Sequence, residues 1–318
     1  MTDIAKIADV IKNNNSFAIA VHVNPDSDCL GSSSALLLAL RAMNKEAKIL
    51  LDGNYPKRIS HILGDDFLGN PDDSYDVCIA VDVASTYMMG NVYEKTFKKS
   101  SVTCLIDHHG TNEGYADYNW VDANAAAAAE LVYVLIKDYL DTEITAPIAE
   151  RIYTAIASDT GSFQYSNTTS DTHIIASELL KYDFDAAAVM RNLFEKKTIE
   201  QLQLKSEVIS TLEFYFDGKV CFATVDNDLL KKYSMSFENA DDLASLPRSI
   251  EGVEIGVYVK VRGENEVKFS LRSNEYADVS KIAQNLGGGG HVRAAGVTVH
   301  ASKDEAIKMV LDEIKKVM

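Results

Sequence analysis

Four short clusters of acidic and imidazole side chains punctuate the first half of the sequence. They are His22-Val-Asn-Pro-Asp26-Ser-Asp28-Cys-Leu-Gly31-Ser32, Asp82 at the end of DVCIAVD, Asp107-His108-His109 after VTCLI, and Asp159 at the end of RIYTAIASD. Carboxylates and imidazoles brought together repel, or stay unpaired, unless a cation sits among them. Asp oxygen mixed with His nitrogen suits manganese or magnesium better than it suits a thiolate-type zinc site. Five carboxylates and three imidazoles exceed what one ion can use. Two ions roughly 3.5–4 Å apart would use them well, one shared Asp bridging and an activated water attacking phosphorus in line. Taken singly, an Asp at a strand end is an ordinary cap or turn residue, and a His in a sheet is an ordinary core residue. Four clusters at one edge argue for a metal centre. His61, His173 and His300 lack such a setting and read as structural, and Asp72-Asp73 reads as a solvated loop.

The elements around these clusters give them a common place. Strands are expected over 17–23, 48–51, 76–83 and 102–106, and helices over 29–43, 55–63, 125–139 and 149–157. Strand alternating with helix implies an α/β fold, a mainly parallel sheet flanked by helices. In such a sheet all strand C-termini open on one edge, where ligands bind. Three clusters therefore converge by topology, and Asp159 reaches the same place from a helix end. The alanine run 125–129 reads simply as good helix former. After Ser170 come three helical stretches, near 172–182, 185–195 and 198–211. Two hairpins follow, the first turning at Asp217-Gly218 and the second at 263–265, then a helix near 278–286, Gly287–Gly290, a strand over 296–300 and a closing helix. The expected division is a metal-binding catalytic domain over 1–185, a helical linker over 186–211 and a smaller α/β substrate-binding domain over 212–318, with the active site in the cleft between the domains.

Bulk properties restrict the ligand. The 318 residues suit two domains, and 47% hydrophobic with 25% charged residues is a globular profile. A net charge of −16 without a basic run argues against long duplex nucleic acid. It leaves room for a small anionic substrate, because bound cations reverse the local field. Cys29, Cys78, Cys104 and Cys221 form no CxxC pair and read as reduced buried thiols. With no apolar run of about 18 residues and no signal-like N-terminus, a cytoplasmic protein without membrane attachment is expected. A homodimer is compatible with the sequence, though nothing in it demands one.

The run HVNPDSD with the following GSS, the AVD strand end, the DHH triplet and the Asp159 segment resemble, in order and spacing, the four motifs of the DHH phosphoesterases over residues 17–165. The run Gly287-Gly288-Gly289-Gly290-His291-Val-Arg293-Ala-Ala-Gly296 is similar to the glycine-rich signature of the DHH-associated C-terminal domain. The resemblance is strongest to the bifunctional oligoribonucleases and pAp phosphatases (nano-RNases). It implies two Mn2+ ions, with Mg2+ as the alternative. His22 and Asp26 would hold the first ion, and Asp28, His108 and Asp159 the second, with Asp82 bridging. It further implies that Asp107 orients His108 and that His109 donates to the substrate phosphate.

Ser32 sits near a helix start, where it could cap the helix or hold an anion. Gly288, Gly289 and Gly290 read as a backbone anion nest, with Arg272, His291 and Arg293 as cationic donors to a terminal phosphate. Phe163, Tyr165 and Tyr258 are candidates for stacking on a base. The implied substrates are nucleotides and very short single-stranded RNA. Among enzymes the alternatives are a pApA or cyclic di-AMP phosphodiesterase and an inorganic pyrophosphatase; outside them, a non-catalytic nucleotide sensor.

Overall fold

The computed structural model describes residues 2–53, 55 and 57–318, with the backbone alone at 57–59, 238, 239, 241, 242 and 291. The chain divides into two compact units, Met1–Lys196 and Lys197–Met318.

In the first unit α1 (Asp3–Asn13) leads into β1 (Ser16–Ala20), α2 (Ser27–Ala42) and β2 (Glu46–Leu50), followed by β3 (Val77–Val81), α3 (Asn91–Lys95), β4 (Val102–Asp107) and β5 (Tyr118–Val121). Four helices complete it: α4 (Ala128–Val134), α5 (Ala146–Asp159), α6 (Ser170–Leu179) and α7 (Ala186–Met190). The strands form one all-parallel sheet in the order β2-β1-β3-β4-β5, as strand–helix alternation requires. Side chains alternate between its two covered faces. Phe17 and Ile19 join the larger core with Leu36, Ile79 and Ile152, whereas Ala18 and Ala20 join a second core with Cys78, Met89 and Phe97. β3 is buried at every position, as a central strand of such a sheet must be.

Several elements depart from expectation. The edge strand β5 has no counterpart in the sequence reading, because YNWV is short and lacks alternation. The helix expected over 125–139 starts only at Ala128, and at Leu135–Tyr139 it widens into a π-turn. The helix expected over 55–63 is a 3-10 turn over Lys57–Ile62, with Pro56 outside the described residues. All four cysteines are free and buried, as expected.

The Gly31 position governs how two helices meet. A Cβ there would come within 2.8 Å of the Arg151 carbonyl oxygen and 2.9 Å of the Ala155 Cβ. Glycine thus lets α2 cross α5 closely, and these are the helices that carry Asp28 and Asp159.

The second unit contains α8 (Ile199–Ile209), β6 (Glu213–Tyr215), β7 (Val220–Asp226), α9 (Asn227–Lys232), β8 (Ile255–Gly263), β9 (Glu266–Ser273), α10 (Val279–Asn285), β10 (Gly289–His291), β11 (Ala294–Val299) and α11 (Lys303–Ile314). Its mixed sheet runs β10-β11-β9-β8-β7-β6, with β7–β8 the parallel pair. Both expected hairpins form, the first turning through left-handed Phe216, Asp217 and Gly218. α8 seats Leu204 and Val208 against Ala223, Val225 and Leu230 of this unit. Among the described residues no helix is long and apolar enough to cross a membrane.

Candidate metal centre

The C-terminal ends of β1, β3 and β4 and the end of α5 bring the four clusters together. His108 is the hub. Its Nε2 lies 3.5 Å from Asp82 Oδ1, 3.5 Å from Asp159 Oδ2 and 3.8 Å from Asp28 Oδ2. Its Nδ1 lies 3.2 Å from the Ala125 carbonyl. A carbonyl can only accept, so Nδ1 carries the proton and Nε2 turns its lone pair toward the carboxylates. His22 repeats the pattern, with Nδ1 2.8 Å from the Val23 carbonyl and Nε2 4.0 Å from Asp82 Oδ2.

Asp82 lies between the imidazoles. Its backbone is left-handed, φ 58°, a strained conformation for a residue with a Cβ. The residue is 2% exposed, and its buried Oδ1 accepts no hydrogen bond among the described residues. Such an orphaned carboxylate oxygen is costly without a cation. Burial, then Asp28, Asp26, Asp159 and Asp107, drive its proton affinity far above the carboxylate range. Asp159 shifts upward through burial and through Asp28 and Asp26. Burial also pushes Asp28 up to about 6, against the opposing pull of His108.

Among the described residues three sets of donor atoms lie close enough to share an ion: Asp28, His108 and Asp159; Asp82, His108 and His109; and His22, Cys29 and Asp82. The first is the trio expected for the second metal. In the last, Cys29 stands where Asp26 was expected. Asp26 caps α2, its Oδ1 accepting the Cys29 N–H at 3.0 Å.

Asp107 has a different partner from the one expected. Its Oδ1 accepts from the His108 backbone N–H at 2.9 Å and from the His109 ring Nδ1 at 2.8 Å, while Oδ2 accepts from Asn112 at 2.6 Å. Burial opposes its ionisation, but the His109 and Asn112 hydrogen bonds hold it below the usual range. Asp107 thus orients the His109 ring, and the His108 ring is held by backbone instead. Ser32 is wholly buried, and its hydroxyl donates to the Asp28 carbonyl at 2.6 Å. It does not cap α2, since it lies in the second turn of that helix.

Comparison with known proteins places this geometry. The model of the DHH family N-terminal domain matches residues 16–158, and that of the DHHA1 domain matches 217–318. The chain is 34% identical to the bifunctional oligoribonuclease and PAP phosphatase NrnA of Thermus thermophilus, over 98% of this chain and 93% of that protein. The chain belongs to the DHH family. A second relative, the Bacillus subtilis protein of the same name, is 27% identical over 92% of this chain and 91% of its own length. Among solved structures, an exopolyphosphatase-related protein from Bacteroides fragilis matches with a TM-score of 0.90 at 23% identity, covering 99% of this chain and 96% of that one. RecJ of Thermus thermophilus, solved in complex with Mn2+, matches with a TM-score of 0.57 at 13% identity, covering 99% of this chain and 54% of RecJ. These two likenesses concern the fold.

Within the DHHA1 part, backbone register sets positions 272, 294 and 291 in one row across β9, β11 and β10. The side chain of His291 lies outside the described residues. Arg272 donates to the Leu271 carbonyl at 3.0 Å. Arg293 clamps a loop, donating to the carbonyls of Ala277, at 2.9 Å, and Glu275. Part of the glycine run is committed to the fold. The amides of Gly287 and Gly288 donate to the Gln284 and Ala283 carbonyls, and Gly289–His291 pairs with β11. A Cβ at Gly288 would meet the Gly296 oxygen at 2.2 Å, and one at Gly290 the Ala294 oxygen at 2.5 Å; over Gly289 there is open space. Glycine is needed here for close strand pairing. Of the candidate stacking aromatics, Tyr258 is fully buried, Phe163 lies against Tyr153 and His173, and Tyr165 is 42% exposed.

Sequence reasoning missed Asn112, Asn167 and Glu130. Asn112 donates to both Asp107 and the Val83 carbonyl, joining the loops after β3 and β4. Asn167 donates to the Ala126 and Asp159 carbonyls at 3.0 and 3.1 Å. Only Glu130 left a signal, an acid inside an otherwise apolar helical run.

Proposed function

We propose that this DHH-family chain is a manganese-dependent phosphoesterase. It would hydrolyse very short oligoribonucleotides to 5′-mononucleotides and remove phosphate from 3′-phosphoadenosine 5′-phosphate. The observation that carries the metal reading is the buried, unpartnered Oδ1 of Asp82 facing two imidazoles. The substrate class rests on likeness along nearly the full chain to relatives named for those two activities. An oxygen-and-imidazole donor set suits manganese.

His22, Asp26, Asp28, Asp82, His108 and Asp159 would hold the two ions, with Cys29 adjoining the first set. When bound, the ions supply Lewis-acid activation of water and neutralise phosphate charge. The chain's own groups do the rest. The Nδ1 protons held on Ala125 and Val23 keep the His108 and His22 lone pairs aimed inward. Asp107 keeps the His109 proton on Nδ1 and fixes the ring that would face the phosphate. Arg272, on a row with position 291, would grip a terminal phosphate. The net charge of −16 disfavours long duplex nucleic acid, in keeping with short substrates.

The test is turnover with Mn2+ on a panel of pAp, pApA, the shortest RNA oligomers, a long RNA, cyclic di-AMP and pyrophosphate. Turnover of pAp and the shortest RNAs with the long RNA slow is expected. Activity confined to pApA or cyclic di-AMP would make the chain a dinucleotide phosphodiesterase instead. A relative named cyclic-di-AMP phosphodiesterase PdeA, from Listeria monocytogenes, is 23% identical over 96% of this chain and 48% of its own length.

A further inference from the structure

The segment leading from β5 into the first turn of α4 contributes no ligand side chain to the candidate centre, yet its backbone touches two of the expected ligands, His108 and Asp28, and is tied to a third, Asp159, through Asn167. The Ala125 carbonyl accepts from the His108 ring at 3.2 Å. The Ala126 carbonyl accepts from Asn167, which also donates to the carbonyl of Asp159. The Ala128 and Ala129 amides donate to the two oxygens of Asp28 at 2.7 and 3.1 Å. Ala127, the residue before α4, offers no side-chain cap, so those first amides are open to an outside acceptor. Alanines 126–129 are fully buried. Small side chains let this backbone lie directly against α2.

A backbone cradle of this kind orients ligands only if it is itself fixed. Glu130 fixes it. The residue is 5% exposed, Oε2 accepts the Ala126 N–H at 3.0 Å, and the carboxylate also meets the Thr172 hydroxyl of α6. That bond closes the entry to α4 over the residues carrying the Ala125 and Ala126 carbonyls. The charge of Glu130 also acts on His108 and on Asp159. A carboxylate is kept buried here at a cost, with the Ala126 amide and the Thr172 hydroxyl as its polar neighbours.

We propose that Glu130 is a positioning residue: by holding the Ala126 amide it locks the 125–129 backbone against Asp28, His108 and the Asp159 segment, and so sets the affinity of that one metal site. The inference rests on the two-metal reading above. The experiment is a Mn2+ titration of the full chain, followed by the electron paramagnetic resonance signal of free Mn2+, on wild type, Glu130→Ala and Glu130→Gln. Wild type should bind two ions. Glu130→Ala should lose roughly 10–100-fold in affinity at one site and keep the other, as loss of a ligand's supporting partner does. Glu130→Gln should bind both normally, because its amide oxygen still accepts from Ala126. Unchanged binding by Glu130→Ala, equal weakening of both sites, or a Gln variant as weak as Ala would each overturn the proposal. Should Glu130→Ala not fold, Asn167→Ala carries the test, since it cuts the link from Ala126 to Asp159 and should weaken the same site. Wild type that binds no Mn2+ would overturn the metal reading itself.

Discussion

Asp82 joins three unfavourable conditions in one residue: left-handed backbone, near-complete burial and an unpartnered oxygen. A cation relieves the last two at once. Asp82→Asn keeps the shape and tolerates φ > 0 better than Ala. Its turnover should fall by about a thousandfold, several kcal/mol of lost metal stabilisation, with the circular dichroism spectrum unchanged. Rates near wild type would remove Asp82 from the centre. Asp28 makes a prediction about pH. Burial, partly offset by His108, raises its carboxyl from 3.8 to about 6. A carboxyl that binds its proton more tightly folded than unfolded stabilises the fold below its unfolded value and loses that contribution as pH rises through the folded one. In chelator, the melting temperature of Asp28→Asn minus that of wild type should therefore grow between about pH 4 and pH 7. A difference independent of pH would mean that Asp28 titrates normally. Saturating Mn2+ should reverse the wild-type trend, because metal and proton compete for the same oxygens.

At the scale of elements, the crossing of α2 and α5 decides whether Asp28 and Asp159 can face the same imidazole. Gly31→Ala would put a methyl group 2.8 Å from the Arg151 carbonyl oxygen, inside any comfortable contact. The helices would have to separate by a fraction of an ångström. A stability loss of about 1–3 kcal/mol, measured by denaturant unfolding, is expected from such overpacking. Metal affinity should fall more than stability alone accounts for, since the separation moves Asp159 away from His108. A variant with normal Mn2+ affinity would show that the centre tolerates a wider crossing.

For the molecule as a whole, the chain is built of two compact units, and on the proposed function each would have its own part in substrate choice. The first gathers carboxylates and imidazoles at a sheet edge, and Arg272 stands on β9 of the second, where it would hold a terminal phosphate. Loss of a charge-assisted hydrogen bond typically costs about 1.5–3 kcal/mol. Arg272→Ala should accordingly raise KM for pAp roughly ten- to a hundredfold while the melting temperature holds. Unchanged KM would remove Arg272 from substrate binding. Arg293→Ala should behave differently, because its guanidinium holds the Glu275 and Ala277 carbonyls. It should lower the melting temperature.

The sequence by itself determined the parallel sheet and the edge on which the clusters meet. Short apolar runs alternating with helical ones admit little else, and parallel strands all end on the same side. It also determined which side chains could ligate, because Asp and His carry their chemistry in their identity. Tertiary structure alone decided how that chemistry is divided. Asp26 gives one oxygen to a helix cap, Asp107 turns to the ring of His109 instead of that of His108, and Ser32 is buried with its hydroxyl on the Asp28 carbonyl. The alanine run, legible only as good helix former, became the support of His108 and Asp28 through its amides and carbonyls. The glycine run, legible as an anion nest, became a strand held close to its neighbour. Both lay beyond the sequence for the same physical reason: every residue carries the same backbone donor and acceptor, and only the folded path decides what they meet.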